Sequence, residues 1–181
     1  RVIVISSTGK HFTAGMDLSV FTDGEGVNAS DADEWSRAEA FRQFVLTLQG
    51  SFNCLDNARM PVIAAIQGGC IGGGVDFVSA CDIRYATDDA FFQIQEINIA
   101  PPGDALWEPA AAFSKNQKLN TGMAADVGTF PRLCKLIPEG WVRELAYAGR
   151  RLPAQRAKEI GLVNETFPTQ EAMLKHVLEL A

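Results

Sequence analysis

The sequence contains few of the residues that bind metal ions or form disulfide bonds. Only two of its 181 residues are histidines and four are cysteines, namely Cys54, Cys70, Cys81 and Cys134. No two cysteines form a CxxC pair, and none has a neighbouring histidine at the spacing of metal ligands. We therefore predict neither a metal site nor a disulfide framework, and we interpret the cysteines as reduced, mostly buried thiols.

Two further classes of partner are disfavoured by what the sequence lacks. Lys and Arg number 16 against 22 Asp and Glu, which gives a net charge of −6 and no basic surface for a nucleic acid. No apolar run reaches the roughly 18 residues that a membrane-spanning helix needs. The chain begins at Arg1 inside a strand-like run and stops at 178–181 in a helical pattern, so we expect both ends to be truncated and targeting signals to lie outside it.

Short buried strands alternate with helical patterns, which predicts an α/β fold with mainly parallel strands in a single domain, 1–181. Strands are predicted at 2–5, 61–66, 83–86 and 91–94, and helices from Ser30 to about 55, through Cys81, at 141–150 and 153–160, and from about Thr169. The stretch Ala100–Thr121 has weak periodicity and is rich in Pro, Ala and polar residues. We predict that it forms a long inserted loop.

A glycine-rich segment, Gly72–Gly74, lies between a predicted strand and a predicted helix that carries Asp76. Glycines at such a junction let backbone N–H groups approach a ligand, and the helix N-terminus adds partial positive charge, which suits a phosphate or an oxyanion. No GK[ST] follows the glycines, and Phe77 takes the place of the small third residue of a dinucleotide fingerprint. Glu96 nevertheless lies where a ribose-binding acid would be, so a dinucleotide site stays as the weaker alternative.

Two motifs resemble the signatures of one enzyme family. Residues 12–18 (FTAGMDL) are similar to the F-x-A-G-x-D-[LI] loop of the crotonase (enoyl-CoA hydratase/isomerase) superfamily, and residues 61–76 and 80–84 are similar to its second signature. The resemblance implies the crotonase fold, a ββα spiral, here without its first strand and its C-terminal helical trimerisation region. It implies an oxyanion hole in which the N–H groups of Ala14 and Gly73 hold the carbonyl oxygen of an acyl-CoA thioester. The substrate-binding residues implied by position are Thr13, Ala14, Met16, Asp17, Gly72 and Gly73.

Three acidic residues complete the site that the resemblance implies. Asp76 and Glu96, twenty residues apart, match the acid/base pair of enoyl-CoA hydratases, and Asp126 lies in a run, 122–129, that resembles Ala-Asp-Val-Gly-Thr of dienoyl-CoA isomerases. The shift of a 3,5-diene to a 2,4-diene removes a proton at C2 and adds one at C6, and one carboxylate does not easily reach both carbons. The resemblance assigns Glu96 to C2 and Asp126 to C6. Asp76 lies nearby, and clustered carboxylates in an apolar pocket should raise one another's pKa.

The spacing of the last two acids departs from that family. Glu96 and Asp126 are thirty residues apart, against eight in the dienoyl-CoA isomerases, and the 22 extra residues are Ala100–Thr121. An outward loop leaves both acids in one site, an inward loop displaces Asp126, and an untrimmed intron is a third interpretation. Two alternatives therefore stay open: an enoyl-CoA hydratase in which Asp76 and Glu96 share a water, and a catalytically inactive acyl-CoA-binding or assembly protein.

The resemblance also sets expectations for cofactor, assembly and location. Coenzyme A is part of the substrate, so no separate cofactor is expected. The family forms homotrimers and homohexamers through C-terminal helices that this chain does not include, and the expected location is the mitochondrial matrix or the peroxisome. Lys10 and Arg84 are candidates for contacts to the CoA phosphates.

Overall fold

Two β-sheets form the centre of the computed structural model, which describes residues 1–17, 33–98, 125 and 127–181. Their strands are β1 (Ile3–Ile5), β2 (Val62–Ile66), β3 (Gly69–Ile71), β4 (Ile83–Thr87), β5 (Phe91–Gln93), β6 (Leu152–Pro153) and β7 (Glu165–Phe167). The first sheet has four parallel strands in the order β1-β2-β4-β7. The second has the order β3-β5-β6, in which β3 and β5 are parallel and β6 is antiparallel to β5. The predicted α/β fold with mainly parallel strands is confirmed.

Helices surround the two sheets, and their ends follow local capping. Those described are α1 (Glu34–Asp56), α2 (Gly73–Ser79), α3 (Thr129–Leu136), α4 (Glu139–Ala148), α5 (Ala154–Glu159) and α6 (Gln170–Leu180), with a 3₁₀ turn at Glu96–Asn98. Asp33 caps α1, because its carboxylate accepts a hydrogen bond of 3.0 Å from the N–H of Ser36. The predicted helix start, Ser30, lies outside the described residues. The sequence predicted Pro153 as the first helical residue of α5, but it is the N-cap of that helix.

Strand β2 is buried on both faces, which explains its uninterrupted apolar run. Ile66 belongs to the same apolar cluster as Val75 of α2. Ile63 belongs to a second cluster with Met173 and Val177 of α6. Because burial of each such side chain contributes about 1.5–3 kcal/mol, the layer between β2 and α2 fixes the helix that carries the first predicted acid.

In the sequence, apolar residues recur at intervals of three and four from Trp35 to Leu55, which predicts a stripe that lies in the core, and helix α1 departs from this prediction. Trp35 is 84% exposed and Phe41 is exposed as well. Further along the helix, Phe52 packs edge-on against Phe77 of α2, with ring centroids 6.3 Å apart. Leu55 is partly buried at the border of the larger apolar cluster. Only the C-terminal part of the predicted stripe therefore packs against the described core.

Candidate active site

The two segments that carry the predicted oxyanion-hole residues lie side by side. The N–H of Thr13 donates to the carbonyl oxygen of Gly69 at 3.1 Å, and the N–H of Ile71 donates to the carbonyl oxygen of Thr13 at 3.2 Å. These bonds form a parallel bridge between Thr13 and Cys70. The structure thus brings together the loop 11–17 and the glycine-rich segment, which lie more than fifty residues apart in the sequence.

Glycines allow these two segments to approach closely. A β-carbon at Gly74 would lie 2.2 Å from Cγ2 of Thr13, and one at Gly15 would lie 3.1 Å from the carbonyl oxygen of Ile71. Gly72, the N-cap of α2, has φ = 56° and ψ = −127°, a conformation that residues with a side chain rarely adopt. The sequence from Gly72 to Gly74 therefore serves packing as well as any ligand.

Ala14 and Gly73, the predicted oxyanion-hole donors, lie on the two segments that meet at this bridge. Gly73 is the first residue of α2, where N–H groups have no acceptor within the helix. Ala14 is exposed and lies in a turn closed by a 3.2 Å hydrogen bond from the following N–H to Oγ1 of Thr13. Met16 and Asp17 of the same loop are exposed. An oxyanion hole requires donors from two such segments, and the assignment to Ala14 and Gly73 stays a prediction.

Asp76 is enclosed by protein, in the first turn of α2, and has no exposed surface. Its Oδ1 accepts a hydrogen bond of 2.6 Å from Oγ1 of Thr129, a residue of α3 that is also buried. Cys70 of β3 lies in the same region, and burial raises the pKa of its thiol, with smaller contributions from Cys81 and Asp76. A hydroxyl donor from a distant segment therefore holds this acid inside the core.

Glu96 is half-buried and begins the 3₁₀ turn that follows β5. Its Oε1 lies 3.6 Å from the point that a β-carbon at Gly72 would occupy, so its carboxylate lies beside the N-terminus of α2. Nε2 of Gln93 and Nδ2 of Asn98 both donate to the carbonyl oxygen of Gly149, at 2.8 and 3.3 Å. These two bonds attach the Glu96 turn to the C-terminal end of α4.

Asp126, the third predicted acid, lies outside the described residues, as does the predicted insertion Ala100–Thr121. Its two neighbours, Ala125 and Val127, are buried. Thr129, which follows shortly after them, makes the hydrogen bond to the first acid. The place of Asp126 relative to the other two carboxylates stays a prediction.

Arg84 corrects one expectation from the sequence. Its side chain is buried, and its guanidinium donates to the carbonyl oxygens of Val78, Cys81 and Leu162. Desolvation lowers the pKa of Arg84, with opposing contributions from the neighbouring acidic groups. The prediction that Arg84 contacts a CoA phosphate is therefore wrong, because this cation binds the carbonyls at the end of α2.

Two polar residues of this region were not predicted from the sequence as part of the site. Thr129 bonds Asp76, and Arg132 donates to the carbonyl oxygen of Val127 at 3.2 Å and to Oδ1 of Asn53 at 2.5 Å. Thr129 ends the 122–129 run that resembles the family, which was a usable signal. No comparable pattern marks Arg132.

The described part of the chain contains neither a cluster of metal ligands nor a membrane-spanning helix. Within residues 1–17, 33–98, 125 and 127–181, no group of three or more His, Cys, Asp and Glu is arranged to hold a metal ion. None of the described helices is long and apolar enough to cross a membrane. His11 has a structural contact, because its Nδ1 accepts a 2.9 Å hydrogen bond from the N–H of Gly69.

Comparison with known proteins finds similarity along the whole chain. The family model described as enoyl-CoA hydratase/isomerase matches residues 1–109 and residues 105–181. The mitochondrial Δ(3,5)-Δ(2,4)-dienoyl-CoA isomerase of Homo sapiens is 40% identical over 183 residues, which cover 100% of this chain and 48% of that protein. The peroxisomal enzyme of the same name from Arabidopsis thaliana is 34% identical over 180 residues, covering 99% and 57%. The chain spans about half the length of the curated relatives it matches.

Solved structures show the same architecture. An enoyl-CoA hydratase from Bacillus anthracis superposes with a TM-score of 0.68 at 29% identity, covering 99% of this chain and 57% of that one. An enoyl-CoA hydratase from Polaromonas superposes with a TM-score of 0.73 at 24% identity, covering 99% and 58%. The arrangement of sheets and helices described above is therefore shared with these structures.

Proposed function

The chain belongs to the enoyl-CoA hydratase/isomerase family, and on that premise we propose that it converts 3,5-dienoyl-CoA to 2,4-dienoyl-CoA. The two dienoyl-CoA isomerases at 40% and 34% identity support this choice within the family. In this proposal the substrate is an acyl-CoA thioester, and coenzyme A is part of that substrate and not a separate cofactor. The names of the same relatives support a mitochondrial or peroxisomal location.

The proposed reaction moves one proton along the acyl chain. The N–H groups of Ala14 and Gly73 hold the thioester oxygen and stabilise the dienolate that forms when C2 loses a proton. Glu96 accepts this proton, the electron pair of the broken C–H bond enters the conjugated system, and C6 takes a proton from Asp126. The double bonds C3=C4 and C5=C6 become C2=C3 and C4=C5. Glu96 ends protonated and Asp126 ionised, so a proton must return from one to the other before the next turnover.

One contact favours isomerisation over hydration, the 2.6 Å hydrogen bond from Oγ1 of Thr129 to Oδ1 of Asp76. Hydration needs only Asp76 and Glu96 around a water molecule, whereas isomerisation needs a third acid near them. Thr129 follows Asp126 by three residues, and three residues span at most about 11 Å. A segment bound to the Asp76 carboxylate thus supports a role for the acid that precedes it.

The proposal is tested by assaying the protein with 3,5-dienoyl-CoA and with 2-enoyl-CoA, beside the variant Asp126→Asn. Because a positioned proton donor contributes roughly 10²- to 10⁴-fold, we expect isomerisation by Asp126→Asn to fall by that factor. Asp89→Asn is the matched control, since Asp89 is an exposed acid in the turn between β4 and β5, and it should isomerise at the wild-type rate.

Three other results would contradict the proposal. Unchanged isomerisation in Asp126→Asn removes the third acid from the mechanism. Hydration of 2-enoyl-CoA that depends on Asp76 and Glu96 but not on Asp126 identifies a hydratase. Tight binding of the CoA thioester without turnover by the wild type identifies a binding or assembly protein.

A further inference from the structure

We propose that Thr129 is a positioning residue that acts through Asp76 and determines which carboxylate oxygen of Asp76 takes part in proton transfer. The inference rests on the proposed function, because it assigns to Asp76 the return of the proton from Glu96 to Asp126 that each turnover of the proposed mechanism requires. Nothing in the resemblance assigned a role to this threonine. Its basis is the hydrogen bond between two side chains that are 0% and 1% exposed.

The hydrogen bond has the geometry of a strong interaction. A hydroxyl that donates to a carboxylate typically does so over about 2.5–2.7 Å, and the distance here is 2.6 Å. A carboxylate taken out of water costs free energy unless donors meet it, so the bond from Thr129 matters more for Asp76 than it would at the surface. Because the threonine donates, the oxygen that accepts, Oδ1, is held without a proton. A proton that Asp76 takes up or passes on must then use Oδ2.

The backbone around Thr129 is itself fixed. Gly128, the N-cap of α3, has φ = 121°, a value that favours glycine, and a β-carbon there would lie 1.9 Å from Nη1 of Arg132. The Arg132 guanidinium fills that space and bonds both the carbonyl of Val127 and the Asn53 side chain of α1. Thr129 is thus placed by a turn that α1 and α3 hold together, and its hydroxyl cannot follow a shift of Asp76. The carboxylate plane of Asp76 is therefore set from outside its own helix.

The test compares two substitutions of Thr129 with one of a matched residue. Thr129→Val keeps the shape and removes the hydroxyl, whereas Thr129→Ser keeps the hydroxyl. Thr87→Val is the control, because Thr87 is also buried and its hydroxyl has no hydrogen-bond partner among the described residues. Thr129→Ala is measured as well, in case the valine variant does not fold.

We expect a change in kcat without a matching change in KM. Loss of a hydrogen bond to a charged group should lower the kcat of Thr129→Val by about 10- to 100-fold, with KM for 3,5-dienoyl-CoA nearly unchanged. Thr129→Ser should restore most of the rate, and Thr87→Val should keep all of it. A kcat of Thr129→Val equal to that of wild type, or a serine variant as slow as the valine variant, would overturn the proposal.

Double variants show whether Thr129 acts through Asp76. Two residues that act as a unit are not additive, so Thr129→Val should lower kcat no further in an Asp76→Ala background, which has no side-chain oxygen to accept the bond. An equal loss in both backgrounds would sink the inference. The free energy of unfolding in denaturant, a measurement that needs no turnover, is compared for the wild type, the two single variants and the double variant. If the wild type does not isomerise 3,5-dienoyl-CoA, the proposed function is wrong, but the unfolding measurements still test the hydrogen bond between Thr129 and Asp76. Non-additive losses of stability support this bond, and additive losses contradict it.

Discussion

The two acids within the described residues are supported in different ways. Asp76 lies on α2 with no exposed surface, and its carboxylate accepts a hydrogen bond from Thr129 of another helix. Glu96 lies on a three-residue 3₁₀ turn and is only half-buried. The core therefore fixes the first carboxylate, whereas a short turn at the edge of the second sheet fixes the other.

Two side chains that flank Glu96 share one acceptor at the end of α4. Side-chain amides of Gln93 and Asn98, on either side of Glu96, both donate to the carbonyl oxygen of Gly149. Gly149 ends α4 in the left-handed conformation, with φ = 58°. In the proposed mechanism Glu96 is also the acid that accepts the C2 proton. In the proposal, the acid that accepts the proton thus lies on a short turn and not on a core helix, and substitutions can test this difference.

The largest effect is expected for Glu96→Gln, which removes the proton acceptor and keeps the shape of the side chain. We expect kcat for 3,5-dienoyl-CoA to fall by roughly 10²- to 10⁴-fold. The free energy of unfolding should change by about 0.5 kcal/mol or less, since this acid does not hold the core. Glu139→Gln, at an exposed glutamate of α4, is the control for both measurements. A loss of stability as marked as the loss of rate would show that Glu96 supports the fold and does not only transfer the proton.

A smaller effect is expected for Gly72→Ala, at the N-cap of α2, where the helix that carries Asp76 lies beside the Glu96 carboxylate. A β-carbon here would lie 3.6 Å from Oε1 of Glu96 and 3.9 Å from Cα of Gly15, which is ordinary contact. The cost comes from the backbone, because φ = 56° with ψ = −127° is strained for alanine by about 1–3 kcal/mol. We expect the free energy of unfolding, measured in denaturant, to fall by this amount, and we expect kcat to fall as well. Gly50→Ala is the control, because a β-carbon at Gly50 of α1 meets nothing within 4 Å.

An unchanged stability in Gly72→Ala would contradict this reading of the junction. Gly50→Ala should be more stable by about 0.5–1 kcal/mol, since alanine replaces glycine inside a helix without strain. The pair separates the effect of a particular backbone conformation from the general effect of replacing a glycine.

The sequence predicted best those elements whose composition has a single physical explanation. Strand β2 is apolar throughout because both of its faces are covered, so a continuous apolar run indicated it directly. Strand β3 is different, because it contains Gly69 and is a strand only through its pairing with β5. Periodicity likewise indicated the apolar face of α1, but it does not say whether Trp35 and Phe41 are covered. Burial depends on neighbours that a local pattern does not contain.

Resemblance and spacing selected the candidate acids of the site. Asp76 and Glu96 were selected together, and the structure places both beside the N-terminus of α2. The role of Thr129 was not predictable, because 53 residues separate it from Asp76 and only the fold brings the two together. The prediction for Arg84 was wrong for the same reason, since a cation near the start of β4 gives no sign in the sequence of the three carbonyls that surround it.

The smallest effect is expected for Gly149→Ala, which disturbs the Glu96 side alone. Alanine in the left-handed conformation costs about 1–2 kcal/mol, and its β-carbon would lie 2.4 Å from Nδ2 of Asn98. The Asn98 side chain must then move, and its hydrogen bond to the carbonyl oxygen of Gly149 is lost. We expect kcat to fall several-fold because the Glu96 carboxylate shifts, while the region around Asp76 stays buried. Cys70 reports on that region, because it is fully buried and burial raises the pKa of its thiol. Thiol labelling of native Gly149→Ala should therefore modify Cys70 no faster than in wild type, and rapid labelling would show that the two acids share one support.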